Sequence, residues 1–132
     1  KICVISTFED FFMERETLEQ NTFKPLRAWC EKRNVVLEVV DPWSGLLHEQ
    51  VHGFNGLYIP WVYMDEIEDA DVNIVLLGER YGQDLPEDLV APEATVRPWL
   101  NRHHANNRKF GSVLEIAAVY AAFFCGQDAS MP

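Results

Sequence analysis

Ser112 and Glu115 stand three residues apart at the head of an apolar run, Val113 to Val119, and that spacing allows two kinds of chemistry. The carboxylate can reciprocate the serine in a capping box, closing the first turn of a helix. At a partly desolvated ligand edge it can instead hold a ribose hydroxyl or steady an oxocarbenium-like ribosyl transition state, as carboxylates do in glycosidic cleavage. A second cluster, Gly78-Glu79-Arg80-Tyr81-Gly82, follows the most apolar run of the chain directly. Its glycines permit a sharp turn and close backbone approach to a ligand. Neither a P-loop lysine nor a GxGxxG fingerprint accompanies them. Arg80 is the one base between Arg33 and Arg97; it can meet a phosphate or pair with a nearby carboxylate such as Asp69 or Asp71. His48-Glu49-Gln50-Val51-His52 matches HExxH, in which two imidazoles one helical turn apart bind zinc and the glutamate acts on metal-bound water. Gly53, Asn55 and Gly56 then end any helix at once, so a solvated loop or short helix competes with a zinc hydrolase. The stretch from Arg102 to Lys109, with His103 and His104, is a solvated basic loop or, with Arg97, Arg108 and Lys109, a phosphate-neutralising patch.

The elements that must position these groups read as α/β. Ile2 to Ile5 and Asn73 to Leu77 are apolar, β-branched runs without alternation, the pattern of strands buried on both faces of a parallel sheet, and Val35 to Val40 reads as a third strand with Glu38 near an exposed end. Phe11 to Arg33 carries apolar residues at helical spacing, with Pro25 kinking or restarting the helix. Trp61 to Ala70 and Ser112 to Tyr120 read as two further helices, and Ala121 to Cys125 as a fourth strand. Gln83 to Gly111, with Pro86, Pro92 and Pro98, is too long for a plain connection; it reads as a functional loop or holds a short helix around Trp99 to His104. The order is that of a doubly wound sheet, whose ligands lie beyond the carboxyl ends of the strands. That rule gathers Ser6 to Asp10, Asp41 to Gly45, Gly78 to Gly82 and the Ser112–Glu115 turn on one edge.

Length and charge bound the function. With 132 residues, 48% of them hydrophobic, the chain has room for one core and one domain. Its net charge of -10 disfavours double-stranded nucleic acid and anionic membranes as partners. The acidity is concentrated: residues 38 to 93 hold thirteen acids and one base, whereas residues 94 to 111 hold four bases and no acid. A single nucleotide therefore stays admissible where a polyanion does not. Cys3, Cys30 and Cys125 are scattered and odd in number, which suits reduced thiols in a cytoplasmic protein. The absence of both a leader and a long apolar run agrees, and a start inside a strand without Met suggests a segment of a longer protein.

The motifs also occur in a familiar order. Ser6, Thr7, Phe8, Asp10, Glu14, Arg15 and Leu18 answer to a pattern like ISSTFxDxxxERxxL, and Phe23, Pro25, Leu26, Arg27 and Cys30 to FPxLRxxC. Val40, Asp41, Trp43 and Gly45 partly meet VDLRWG; Asp65, Glu66, Ile67 and Leu76 to Gly82 follow EEIxxxxxxxxLLGERYG; Ser112, Val113, Glu115 and Ile116 echo SVTxxEI. Ala122 to Asp128 echo AFFYFRD. In this the chain resembles the TIR-like domain of unknown function that precedes NACHT modules in large NACHT proteins with WD or TPR repeats, such as the telomerase-associated vault component and nephrocystin-like proteins. The resemblance implies a flavodoxin-like, TIR-like three-layer sandwich around a parallel sheet of four to five strands, spanning residues 1–132 as one domain of a larger protein. It implies a signalling module that binds itself or other domains of its parent. Distant TIR relatives cleave the glycosidic bond of NAD with a helix glutamate, and Glu115 is the position that looks like it. On that alternative the chain is an NAD glycohydrolase with NAD as substrate and no bound cofactor. Glu115 then handles the ribose, Trp43 stacks a ring, and Ser6, Asp10, Arg80 and Ser112 complete the ligand edge.

Overall fold

The computed structural model of the chain describes residues 1–44, 59–82, 84–101 and 111–125. Its centre is a parallel three-stranded sheet of order β2-β1-β3, with β1 at Ile2–Ile5, β2 at Val39–Val40 and β3 at Val72–Val75. Ile2 and Cys3 pair with Val39 and Val40, and Ile2 to Ile5 pair with Val72 to Val75. Among the described residues there are three strands, fewer than the four to five expected. Ala121 to Cys125 continues the preceding helix instead: nothing breaks the chain at Tyr120, and Tyr120–Phe124 forms a wide turn closed by Cys125 N–H donating to the Tyr120 carbonyl at 2.9 Å. That turn stacks Tyr120 and Phe124 on Trp99, with centroids 5.1 and 5.0 Å away.

The second expected strand is also shorter, two residues where six were read. Asn34 turns with φ +57, and Val35 N–H is spent on the Cys30 carbonyl. Val36 is left 89% exposed before the chain reaches β1. The long N-terminal helix forms as read, and Pro25 stands in the first turn of its second half, where a proline suits the start of a helix. Helix α1, Phe12–Leu18, passes through a wide turn at Glu19–Phe23 into α2, Lys24–Glu31. A proline lacks the N–H for a regular helical bond and its ring crowds the carbonyl four residues back, so widening the turn just before it relieves both. Helix α3, Ile59–Asp69, starts two residues before its expected position. The proline-rich segment, read as a loop or as holding a short helix around Trp99 to His104, is helical at residues 99–101 and also forms helix α4, Glu87–Val96, with Pro86 preceding it and Pro92 inside it. Helix α5 is Val113–Val119.

Alternation along β1 sorts these helices into layers. Cys3 and Ile5 belong to the main core with Tyr63, Met64 and Ile67 of α3, Val90 and Ala94 of α4, and Leu114, Ile116 and Ala117 of α5. Val4 points to the opposite face, where it lines a space shared with residues of α1 and α2. Among the described residues no helix is long and apolar enough to cross a membrane.

Candidate ligand edge at the carboxyl ends of the strands

Ser6, directly after β1, is 1% exposed and ties three elements together. Its hydroxyl accepts from Arg15 Nη1 of α1 at 2.8 Å, and its carbonyl accepts from Trp43 Nε1 at 2.6 Å and from the Tyr63 hydroxyl at 3.3 Å. Arg15 also donates to the Thr7 carbonyl at 2.9 Å and the Phe8 carbonyl at 3.2 Å, and its Nε lies 3.3 Å from Asp41 Oδ2 after β2. A guanidinium with its planar fork of donors can serve four acceptors on two loops at once, which a lysine could not. Asp41 accepts from Trp43 N–H at 3.0 Å. Burial holds its carboxyl above the usual aspartate range, and Arg15 and the Trp43 N–H pull it back only in part.

Trp43, assigned to stacking a ligand ring, is buried and packs against Phe8 and Tyr63, with centroids at 5.7 and 6.0 Å. Its ring is part of the scaffold of the edge. Arg15 is the residue that sequence reasoning left without a role here. The signal that could have found it is a single arginine on the helix directly after a strand whose end carries Ser6 and Thr7.

Arg80 takes neither expected carboxylate. Asp71 receives the Lys1 terminal amine at 2.6 Å and Lys1 Nζ lies 3.9 Å from Asp69, whereas Arg80 pairs with Glu9 and, through Nε at 3.2 Å, with Asp10. Asp10 also accepts from Arg80 N–H at 3.1 Å. The close approach of the two loops depends on Gly78. A Cβ there would lie 2.9 Å from both Asp10 Oδ2 and the Phe11 ring, and Phe11 itself holds a left-handed φ of +64.

Ser112 caps α5 as expected, its Oγ accepting from Glu115 N–H at 3.1 Å while its hydroxyl donates to the Tyr81 carbonyl at 2.5 Å. The return half of the capping box runs through a third residue. The Tyr81 hydroxyl donates to the Glu115 carboxylate and lies 3.3 Å from Ser112 N–H, which donates to it. Burial and this carboxylate push the Tyr81 phenol up to about 12. Glu115 folds over Gly111, whose φ of +79 and missing Cβ leave the space. A Cβ built on Gly82 would sit 3.5 Å from both Thr7 Cγ2 and Ser112 Cβ, so the β1 end, the GERYG loop and the start of α5 lie side by side. The Thr7 hydroxyl is buried there with no hydrogen-bond partner among the described residues.

The sheet thus brings Ser6, Asp10, Trp43, Arg80, Ser112 and Glu115 to one edge. The HEQVH segment, residues 48 to 52, lies outside the described residues, as do Arg102, His103, His104, Arg108 and Lys109. Arg97 is described: it pairs with Glu93 and with Asp65 at 3.0 Å. Among the described residues no group of three or more His, Cys, Asp or Glu side chains could hold a metal ion. The thiols of Cys3 and Cys30 are buried, and desolvation pushes that of Cys3 up to about 12.

Fold and edge together define an α/β protein with helices on both faces of a small parallel sheet. Among known proteins, a TPR repeat-containing protein of Dictyostelium discoideum is 32% identical over 82 residues, which is 62% of this chain. The chain spans 5% of that relative's length. No family model and no solved structure matches the chain.

Proposed function

We propose that the chain is a TIR-like interaction module of a larger cytoplasmic, NACHT-type signalling protein, acting by self-association or by contact with other domains of its parent. The observation that carries this reading is the mutual engagement of the polar groups at the edge. Arg80 is held by Glu9 and Asp10, Arg15 by Ser6 and Asp41, and Glu115 by Tyr81. Groups bonded to one another in this way form a fixed surface rather than an open set of ligand contacts. The strand order 2-1-3 supports a flavodoxin-like frame, since it is the order with which that doubly wound class begins. Likeness to one short stretch of a protein named for its TPR repeats supports a module within a larger architecture. Light scattering of the purified chain over a wide concentration range tests the proposal. A mass rising above 15.2 kDa is expected; a strict monomer that also ignores the other domains of its parent refutes it.

A second reading has one observation in its favour. Glu115 sits at the strand ends beside Tyr81 and Ser112, where an NAD glycohydrolase would need its carboxylate. Incubation with NAD, alone and when fused to a multimerising partner, tests it by release of nicotinamide. Product that survives Glu115→Gln unchanged removes the assignment.

A further inference from the structure

The two faces of the sheet are covered unequally. On the Cys3/Ile5 side the core is closed, with Ile5, Tyr63, Met64, Ile67 and Ile116 fully buried. On the Val4 side a cavity of about 720 Å³ remains between the sheet and the helical layer of α1 and α2. That volume lies within the range of pockets that enclose small organic molecules. Val4, Val39 and Val40 form its floor, and Phe12, Leu18 and Phe23 line it from the helical side. Phe12 is 66% exposed at its rim, apolar surface that an occupant would cover.

Charge selects the occupant. Two arginines and three carboxylates line the cavity, and both arginines are already matched, Arg15 by Asp41 and Arg27 by a two-pronged contact with Glu19. Glu16 is the acid in excess, and it accepts from the uncharged amide of Gln20 at 3.1 Å. An anion entering here would meet a surplus of negative charge, with both guanidinium groups spoken for. A body of hydrocarbon fits the floor and wall, and one positive charge fits Glu16.

We infer that this cavity is a binding site for a small amphiphilic amine, an apolar body carrying a single ammonium group. It lies apart from Ser112 and Glu115, neither of which lines it, and it stands whether or not the chain self-associates. The test uses the whole chain with three matched probes, n-octylammonium, octanol and octanoate, followed by titration calorimetry and by the indole N–H resonance of Trp43, which lines the cavity. Octylammonium is expected to bind one to one, to move that resonance, and to exceed octanoate by roughly tenfold or more in affinity. Glu16→Gln, an exposed substitution that spares the core, should bring the amine down to the affinity of the alcohol. Val40→Phe, which fills the floor, should abolish binding of all three while circular dichroism confirms the fold. Absence of binding by any probe overturns the inference. Octanoate equal to the amine, or binding undiminished in folded Val40→Phe, overturns it as well.

Discussion

Replacing Arg15 by methionine removes the group that joins the loops after β1 and β2. The guanidinium is buried and holds Ser6 Oγ, the Thr7 and Phe8 carbonyls and Asp41, whose side chain is 16% exposed. Methionine fills much of the volume, so the loss is electrostatic. Breaking one half of a buried ion pair typically costs about 3–5 kcal/mol, mostly because the remaining charge has no partner. Three further acceptors lose a charged donor, but the bond to the Phe8 carbonyl is only half-buried, so we expect a total of about 4 kcal/mol. Urea unfolding followed by circular dichroism reads this directly. With a slope of about 2 kcal/mol per molar, the midpoint should fall by roughly 2 M with the slope unchanged.

Two further measurements isolate the cause. Asp41→Asn keeps an oxygen for Trp43 N–H and discards the charge, so the double variant should be more stable than Arg15→Met alone by about 1–2 kcal/mol. The pH dependence supplies the sign. Asp41 has a raised folded value, and losing Arg15 raises it further, so the native state of Arg15→Met binds more protons than the unfolded chain. Its stability must then fall as pH rises from the ordinary aspartate value through the raised one, and acidification across that window should recover part of the loss. A loss below about 1 kcal/mol, or strictly additive effects in the double variant, would refute the assignment of Arg15 and Asp41 as the joint of the edge.

Other outcomes follow from the same geometry. Gly111→Ala forces a side chain onto φ +79 and onto the Glu115 carboxylate, whose Cδ would be 2.9 Å away; a loss of about 1–2 kcal/mol is expected in the same unfolding assay. Ser112→Ala removes the cap of α5 and the bond to the Tyr81 carbonyl, and should cost about 1–2 kcal/mol, with Ser112→Thr largely restoring it. Absorbance titration should find the Tyr81 phenol ionising near 12, and Glu115→Gln should lower it only in part, because burial is the larger cause; the stability it contributes is complete below about 10 and is lost as pH climbs from there. Trp43→Phe deletes the donor to the Ser6 carbonyl and part of the packing on Tyr63, so calorimetry should show a lower melting temperature with the far-ultraviolet spectrum retained.

What residue order determined by itself was local. Apolar β-branched runs made β1 and β3, helical spacing made α1 to α3, and Ser112 with Glu115 marked the start of α5, because these depend on periodicity and on bonds within one turn. Gathering Ser6, Asp10, Trp43, Arg80, Ser112 and Glu115 at the strand ends was also legible, since alternation of strand and helix places every such loop on one edge. Partnership was not. Arg80 chose Glu9 and Asp10 over Asp69 and Asp71 because Gly78 lets the two loops touch while Lys1 holds the other acids. Trp43 turned inward because Ser6 offered a carbonyl to its N–H, and Tyr81 entered the capping box because Gly111 let Glu115 fold back. Ala121 to Cys125 became a helical turn because Trp99 offered a surface for Tyr120 and Phe124, a choice that β propensity does not carry. These outcomes rest on distances between residues far apart in sequence, and only the packed sheet and its helices set those.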